Sequence, residues 1–178
     1  MVQFIDTNNF GRVQTLDGSL GLEIRPVEGV NDRTGKPYRQ HNIVLLNGNP
    51  DEAELVGAFN TLEDAEQAYD RAAKCVTLAD ALIVLDEMSL HLYQLHFSEP
   101  ISTANMAQHY SGCTENMEER IKVHLKRSNA AIVKAAVDRG LEVTVAWTRI
   151  GGWSEERYFK HVTKNGRLAC PICNGGVE

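Results

Sequence analysis

The sequence ELVGAFNTLEDAEQAYDRAA, residues 54–73, decides the predicted fold because it joins a strand to a helix. The apolar run from Ala53 to Phe59 predicts the strand. Thr61 then predicts a helix start, with Asp64 at the third helical position in an approximate capping box. Apolar residues recur downstream at helical spacing, so the sequence predicts one long, heavily buried helix that runs to about Met88.

Two further strands are predicted before this unit. Leu20 to Val27 alternates apolar and polar residues, and Arg39 to Asn47 contains the run Ile43-Val-Leu-Leu46. The residues between them, Asn31 to Pro37, are rich in turn formers and predict a loop. The N-terminal half therefore predicts a three-stranded antiparallel sheet followed by a long helix.

The C-terminal half predicts further helices and a small antiparallel sheet, which makes the fold class α+β. Leu90 to Phe97 fits either a strand or a continuation of the long helix. The Lys164-Asn-Gly166 turn predicts a hairpin, because Asn-Gly favours a type I′ turn. The remaining predicted helices are a short one over Thr103 to Tyr110, one capped by Thr114 that runs to about Arg127, and one from Ala130 to Arg139 with Gly140 at its C-cap. A turn is predicted at Ser111 to Cys113. The remaining predicted strands are Leu141 to Ile150 and the two hairpin strands, at Tyr158 to Val162 and from Leu168 onward.

Composition is typical of a soluble globular protein. The chain has 178 residues, 43% of them hydrophobic and 24% charged. Its apolar runs fall far short of the roughly 18 residues that a membrane helix needs. Met1 to Asp6 has no basic start followed by an apolar stretch, so the sequence predicts a cytoplasmic protein with no membrane partner. It predicts either one compact domain or two units: an acidic sheet-plus-helix unit, residues 1–97, and a basic helix-plus-hairpin unit, residues 98–178, which ends in a Cys-x-x-Cys motif.

Charge is distributed unevenly along the chain. Residues 1–119 carry 7 Lys and Arg against 19 Asp and Glu, a formal charge of −12, whereas residues 120–178 carry 11 against 5, a charge of +6. Cations neutralise phosphates and aromatic rings stack on bases, so the second stretch predicts nucleic-acid contact. The alternative is that the aromatic residues there (Trp147, Trp153, Tyr158 and Phe159) fill a core while the cations form its solvated face. The candidate nucleic-acid-binding residues are Arg120, Lys122, Lys126, Arg127, Lys134, Arg149, Arg157 and Lys160.

The motif Cys170-Pro-Ile-Cys173 has the form of a zinc knuckle, in which two thiolates share one metal ion. The spacing of His109 and Cys113 suits two further ligands, so the sequence predicts a Cys3His zinc site from these four residues. Other candidate ligands are His161, His91 and His96. The alternative interpretations are a segment without metal, or a redox pair, which is less favoured because no helix is predicted to follow the motif.

The stretch Glu54–Ala73 resembles the third strand and helix of the AP2-type DNA-binding domain, a family that also occurs in phage and bacterial endonucleases and in integrase arm domains. The resemblance implies three antiparallel strands before a helix, which is the order predicted here. It also implies DNA contacts from Arg and Trp side chains that enter the major groove from the strands. In this chain the strands offer Arg25 and Arg39, the loop adds Arg33 and Lys36, and the family's Trp positions have no counterpart.

The sequence favours a binding protein over an enzyme, because it contains no Gly-rich phosphate loop, His-Glu-x-x-His or Gly-x-Ser-x-Gly motif. His124 lies among the cations of a predicted helix and is expected to be exposed rather than a catalytic base. The leading hypothesis is a small non-enzymatic protein of bacterial, phage or mobile-element type that contacts nucleic acid through its basic C-terminal part. The alternative is a protein-binding inhibitor or accessory factor, whose acidic residues Asp51, Glu52 and Glu54 occupy a basic surface on a partner such as a nucleic-acid enzyme.

Overall fold

The first sheet is antiparallel, with strands in the order β1 (Gly21–Val30), β2 (Pro37–Leu46) and β3 (Glu54–Phe59). The three strands predicted for the N-terminal half are therefore confirmed. The computed structural model describes residues 21–30, 35–46, 53–102, 106–127, 130–163 and 166–175. Part of the predicted loop between β1 and β2, residues 31–34, lies outside this described part.

Two helices, α1 (Leu62–Ala72) and α2 (Leu78–Met88), follow the first sheet, so the prediction of one long helix is wrong. Thr61 begins α1 as predicted, since its hydroxyl accepts a hydrogen bond from the backbone amide three residues on, at 3.1 Å. Thr77 repeats this arrangement with Asp80 at the same distance, and with its extended backbone it begins α2, after α1 has ended at Ala72. The apolar periodicity does not reveal this second cap, because both helices bury an apolar stripe.

The core of the first sheet lies between its apolar face and these helices. Ala65, Ala68 and Ala72 of α1 are fully buried, and their small side chains let the helix approach the strands closely. Ile43 and Phe59 supply the larger side chains from the sheet. Burial of a large side chain such as Ile43 or Phe59 contributes roughly 1.5–3 kcal/mol. Packing on the sheet therefore stabilises the short α1 far more than helix propensity does.

A second antiparallel sheet is built from β4 (His91–Phe97), β5 (His109–Thr114) and β6 (Val143–Ile150), with β4 in the centre. The segment from Leu90 to Phe97 is thus a strand rather than a helix continuation. The strand predicted at Leu141 to Ile150 is confirmed. The fold class α+β, with two three-stranded antiparallel sheets and helices, is confirmed as well.

Two predictions that fall on β5 are wrong. His109 and Tyr110 belong to this strand rather than to a helix, and the predicted turn at Ser111 to Cys113 is also part of it. Residues 103–105 of the predicted helix lie outside the described part. Strand pairing with β4 decides the conformation here, since Leu92 and Cys113 are opposite each other in the hydrogen-bonded ladder.

Three helices pack in the C-terminal half, namely α3 (Met117–Arg127), α4 (Ala131–Asp138) and α5 (Trp153–Thr163). α3 and α4 confirm two predicted helices, and Gly140 follows α4 with a left-handed φ of 71°. The cap of α3 differs from the prediction, because Asn116, not Thr114, accepts a hydrogen bond from the amide three residues on, at 2.9 Å.

The predicted C-terminal hairpin is wrong, because Tyr158 to Val162 lies within α5. Glu156 and Phe159 are buried, as is Ser154, and the three-residue spacing of Glu156 and Phe159 is helical. Acidic residues in the first turn and basic residues in the last turn match the helix dipole. Residues 164–165 of the predicted turn, which runs to Gly166, lie outside the described part. A short 3-10 helix, Ile172–Asn174, follows.

The chain divides into a first unit, residues 1–90 with 150–154, and a second unit, residues 91–149 with 155–178. β4 belongs to the second unit, whereas the sequence-based boundary placed it at the end of the first. Its residues Tyr93, Leu95 and Phe97 form the core of the second unit with side chains of α4. In the described part of the chain, no helix has the length and apolar character needed to cross a membrane.

Candidate metal centre

His96 and His109 lie directly opposite each other on the antiparallel strands β4 and β5. Opposite residues of an antiparallel pair project from the same face of the sheet, so the pairing register brings the two imidazoles together. Nδ1 of His96 is 3.2 Å from Nε2 of His109, and the ring centres are 5.2 Å apart.

The Cys170–Cys173 loop places two thiols beside these rings. Its short 3-10 turn is closed by the Asn174 amide, which donates to the carbonyl of Pro171 at 3.1 Å. Sγ of Cys173 then lies 3.3 Å from Nε2 of His109 and 3.6 Å from Nδ1 of His96. Sγ of Cys170, which is fully buried, is also 3.6 Å from Nδ1 of His96.

These distances match the edges of a metal-centred tetrahedron. With zinc–nitrogen and zinc–sulfur bonds of ordinary length, tetrahedral ligands are separated by about 3.3 Å between two nitrogens and about 3.6 Å between nitrogen and sulfur. All four ligand atoms lie within 4.8 Å of one another. The group formed by His96, His109, Cys170 and Cys173, called here the His2Cys2 group, is therefore close enough to bind a metal ion.

Burial sets the protonation of the His2Cys2 group. It lowers the pKa of His109 to about 4, with help from the neighbouring His96 and from the charge of Arg167, and it also lowers the pKa of His96. Both imidazoles are therefore neutral at pH 7 and keep a lone pair for a metal. Burial raises the pKa of Cys173, and Cys170 adds to this effect, so metal binding has to displace a thiol proton.

Three of the four predicted ligands, His109, Cys170 and Cys173, meet in this group, but Cys113 does not. His96 takes its place. In a helix His109 and Cys113 would be one turn apart, whereas in β5 four residues span about 13 Å. The Cys113 thiol lies instead beside Glu156, and burial raises its pKa. His91 and His161, the other candidates, are not part of the group.

Gly166 packs the C-terminal segment tightly against the β4–β5 pair. A Cβ on this residue would lie 2.9 Å from Cβ of His109 and 3.1 Å from Nε2 of Gln94, so a larger residue would displace one of them. Nε2 of Gln94 donates to the Gly166 carbonyl at 3.0 Å, and Oε1 of Gln94 accepts from Nε1 of Trp147 at the same distance. Gln94 is fully buried and thus links the segment before the thiols to β6.

Three of the eight predicted nucleic-acid-binding residues pair with carboxylates of their own helix. Each pair is one helical turn apart: Lys122 with Glu118, Lys134 with Asp138, and Lys160 with Glu156. Exposed pairs of this kind contribute only about 0.3–0.5 kcal/mol each. They nevertheless balance the lysine charge locally.

Arg120 belongs to a polar cluster with His124 and Tyr93. Nε of Arg120 donates to the Tyr93 hydroxyl at 3.2 Å, and that hydroxyl is 2.7 Å from Nε2 of His124. His124 is only 2% exposed, so the prediction of an exposed histidine is wrong. Burial, reinforced by the Arg120 charge, lowers the pKa of His124 to about 4, and burial raises the pKa of Tyr93 to about 12. The spacing of residues along the sequence does not predict this cluster, because Tyr93 lies on β4 whereas Arg120 and His124 lie on α3.

The other four predicted contacts are dispersed over three elements. Arg149 is exposed on β6, with its guanidinium carbon 5.0 Å from the centre of the Trp147 ring. Lys126 is exposed near the end of α3, and Arg157 is half-buried in α5. Arg127 ends α3, and its side chain lies outside the described part.

The two strand arginines that the AP2-type resemblance implicates, Arg25 and Arg39, are already paired. Arg25 contacts Glu23 at 3.0 Å and Arg39 contacts Glu28 at 3.4 Å, which balances the charge that DNA phosphates would otherwise attract. Arg33, Asp51 and Glu52 lie outside the described residues, Lys36 is exposed beside β2, and Glu54 is exposed in β3.

Comparison of the chain with models of protein families, with curated proteins and with solved structures finds no match.

Proposed function

We propose that the second unit binds one structural zinc ion through the His2Cys2 group and that this unit contacts nucleic acid. The observation that carries the zinc proposal is the match between the nitrogen and sulfur separations, 3.2 to 3.6 Å, and the edges of a tetrahedron. Nitrogen and sulfur ligands suit zinc, whereas magnesium and calcium take oxygen ligands.

A structural role fits the group better than a catalytic one. Four protein side chains fill a tetrahedron and leave no position for water or substrate, as in structural zinc sites. The ion would join Cys170 to His96, which are 74 positions apart in the chain. Residues 166–175 contain only one short 3-10 helix, so ligation supplies the free energy that holds this segment on the sheet.

The charge of the C-terminal part supports the nucleic-acid proposal. Residues 120–178 carry a formal charge of +6, and Lys126 and Arg149 are exposed cations among them. The aromatic residues divide into two groups, because Phe159 is 8% exposed and packs in the interior, whereas Tyr158 on the same helix is 61% exposed. Core packing therefore accounts for Phe159 and leaves Tyr158 available for a ligand.

Metal content tests the zinc proposal. Elemental analysis is expected to give about one zinc per chain for the wild type. The Cys170→Ser/Cys173→Ser variant should lose that zinc. Cys75→Ser is the matched control, since Cys75 is half-buried beside α1 and outside the His2Cys2 group. Equal zinc in the double variant and the control would show that these thiols do not hold the metal.

Salt-dependent binding tests the nucleic-acid proposal. The affinity for mixed-sequence DNA and RNA is expected to fall steeply between about 50 and 200 mM salt. Lys126→Glu/Arg127→Glu should weaken binding to every sequence. Arg71→Glu/Lys74→Glu changes the net charge equally in the first unit, where both residues are exposed. If the two double variants bind alike, the second unit does not provide the contact.

A further inference from the structure

The exposed Arg149 lies over the half-buried ring of Trp147 in a cation–π contact, called here the Arg149–Trp147 stack, on β6, a strand at the edge of the second sheet. The guanidinium carbon of Arg149 lies 5.0 Å from the Trp147 ring centre and 5.7 Å from that of Phe159. Phe159 meets the indole edge-on, with ring centres 5.2 Å apart. The two rings thus support the guanidinium, while Arg149 remains exposed to solvent.

The indole of Trp147 is held by a chain of hydrogen bonds. Its Nε1 donates to Oε1 of Gln94 at 3.0 Å, and Nε2 of Gln94 donates to the Gly166 carbonyl at 3.0 Å. Because Gln94 is fully buried, its amide has no competing contact with bulk water. The ring is therefore already ordered, and a ligand that contacts the stack does not have to immobilise it.

The charge of Arg149 is available, unlike that of most other cations in the predicted set. Lys122, Lys134 and Lys160 pair with carboxylates of their own helices, and Arg120 is engaged with Tyr93. Within the described part of the chain, the contacts of Arg149 are with the two aromatic rings, and no carboxylate lies within ion-pair distance. An anionic ligand would therefore meet an uncompensated cation at this point.

We infer that the Arg149–Trp147 stack binds an unpaired base of a single-stranded nucleic acid. This inference rests on the nucleic-acid function proposed above. The guanidinium of Arg149 lies over the Trp147 ring and is exposed to solvent, and unpaired bases stack on arginine planes and aromatic rings. An arginine that reads a base pair in duplex DNA instead uses its N–H edge, and duplex bases are already stacked on their neighbours.

Trp147 itself provides the readout. In a Trp153→Phe background it is the only tryptophan of the chain. A mixed-sequence single strand of about a dozen nucleotides is expected to quench its fluorescence at low salt, and the corresponding duplex is expected to leave it unchanged. Single-strand affinity should fall about tenfold in Arg149→Gln, since one stacked base contributes about this much. Arg149→Lys, which keeps the charge, should fall by a smaller factor, and Arg139→Gln is the control for losing an exposed cation outside the predicted set, whose guanidinium donates to the Pro100 carbonyl.

The outcomes separate the two proposals. Salt-dependent binding that is equal in wild type and both Arg149 variants, with no quenching of Trp147, overturns the inference and leaves the nucleic-acid function in place. Tighter binding of the duplex, with quenching, also overturns it, because the stack then does not select unpaired bases. No binding of either ligand by the wild type overturns both. Circular dichroism and thermal unfolding establish that each variant is folded.

Discussion

His96 and His109 face each other across the β4–β5 pair, with Nδ1 of His96 3.2 Å from Nε2 of His109. Backbone pairing alone creates this half of the His2Cys2 group. The other half, Cys170 and Cys173, lies in a segment whose only regular element is a 3-10 helix. We therefore expect metal loss to release the C-terminal segment while the strand pair persists.

Replacing His96 with alanine is expected to weaken zinc binding by at least about a hundredfold, since even residues that only support metal ligands are worth up to that factor. Competition with a chromogenic zinc chelator measures the affinity. His91→Ala is the control, because His91 begins the same strand outside the group. Retention of full affinity in His96→Ala would exclude His96 as a ligand.

The ligand set shows what sequence spacing can and cannot predict. The Cys-x-x-Cys motif is local, so Cys170 and Cys173 are predictable from the sequence. The spacing of His109 and Cys113 predicts that both are ligands, and that prediction fails for Cys113 because the segment is a strand. His96 joins the site through the β4–β5 register, which is a long-range property that depends on both strands being assigned correctly.

Thr77→Ala is expected to destabilise the first unit by about 1 kcal/mol, because it removes the side-chain cap of α2. Thr61→Ala removes the equivalent cap of α1 and should have a similar effect. Urea denaturation measures both. A single continuous helix would give the opposite result at Thr77, since alanine is the best helix former. A stabilised Thr77→Ala protein would therefore argue against the break between the helices.

The predicted helices likewise succeed where a local sequence signal marks them and fail where long-range packing decides the structure. Thr61 could be identified as a cap because a strand ends directly before it, whereas Thr77 is surrounded by apolar residues that continue the helical pattern. In α5, Tyr158 and Phe159 favour a strand by propensity, but tertiary packing overrides that preference by burying Phe159. Local signals thus predict element starts near turns and fail where packing decides.

Gln94→Leu is expected to cost about 1–3 kcal/mol, because it removes the hydrogen bonds of a buried amide to two half-buried partners, the Trp147 indole N–H and the Gly166 carbonyl. Chemical denaturation measures the loss. The control is Gln67→Leu, because Gln67 is exposed on α1 and makes only a long contact with Glu63. Equal stabilities for the two variants would show that the buried amide does not join the C-terminal segment to β6.

Zinc removal is expected to change the environment of Trp147 through the side-chain amide of Gln94. In the Trp153→Phe background, chelation should change the emission of Trp147, because release of residues 166–175 removes the Gly166 end of the Gln94 link. Readdition of zinc should restore the spectrum. The Cys170→Ser/Cys173→Ser protein should already show the chelated spectrum and should not respond to zinc, and an unchanged wild-type spectrum on chelation would contradict the link.

His124 is expected to make the second unit less stable in mild acid. Its folded pKa is about 4, below the ordinary 6.5, so between these values the unfolded chain binds more protons than the folded one. Stability is then retained above pH 6.5 and lost as the pH falls towards 4, by an amount on the order of 1–2 kcal/mol. Arg120 keeps its charge throughout, and Tyr93, with a pKa of about 12, stays neutral.

His124→Gln isolates the contribution of His124 to the pH dependence. Glutamine can hydrogen-bond to the Tyr93 hydroxyl, but it does not titrate between pH 4 and 7. Urea denaturation of zinc-loaded protein at pH steps from 7 to 4 is expected to show the wild type losing its advantage over the variant as the pH falls. His161→Gln is the control, because His161 is exposed on α5 and its replacement should leave the pH dependence unchanged. Parallel curves for wild type and His124→Gln would instead mean that the folded protein accepts a proton at His124 as easily as the unfolded chain does, and the acid sensitivity would not come from His124.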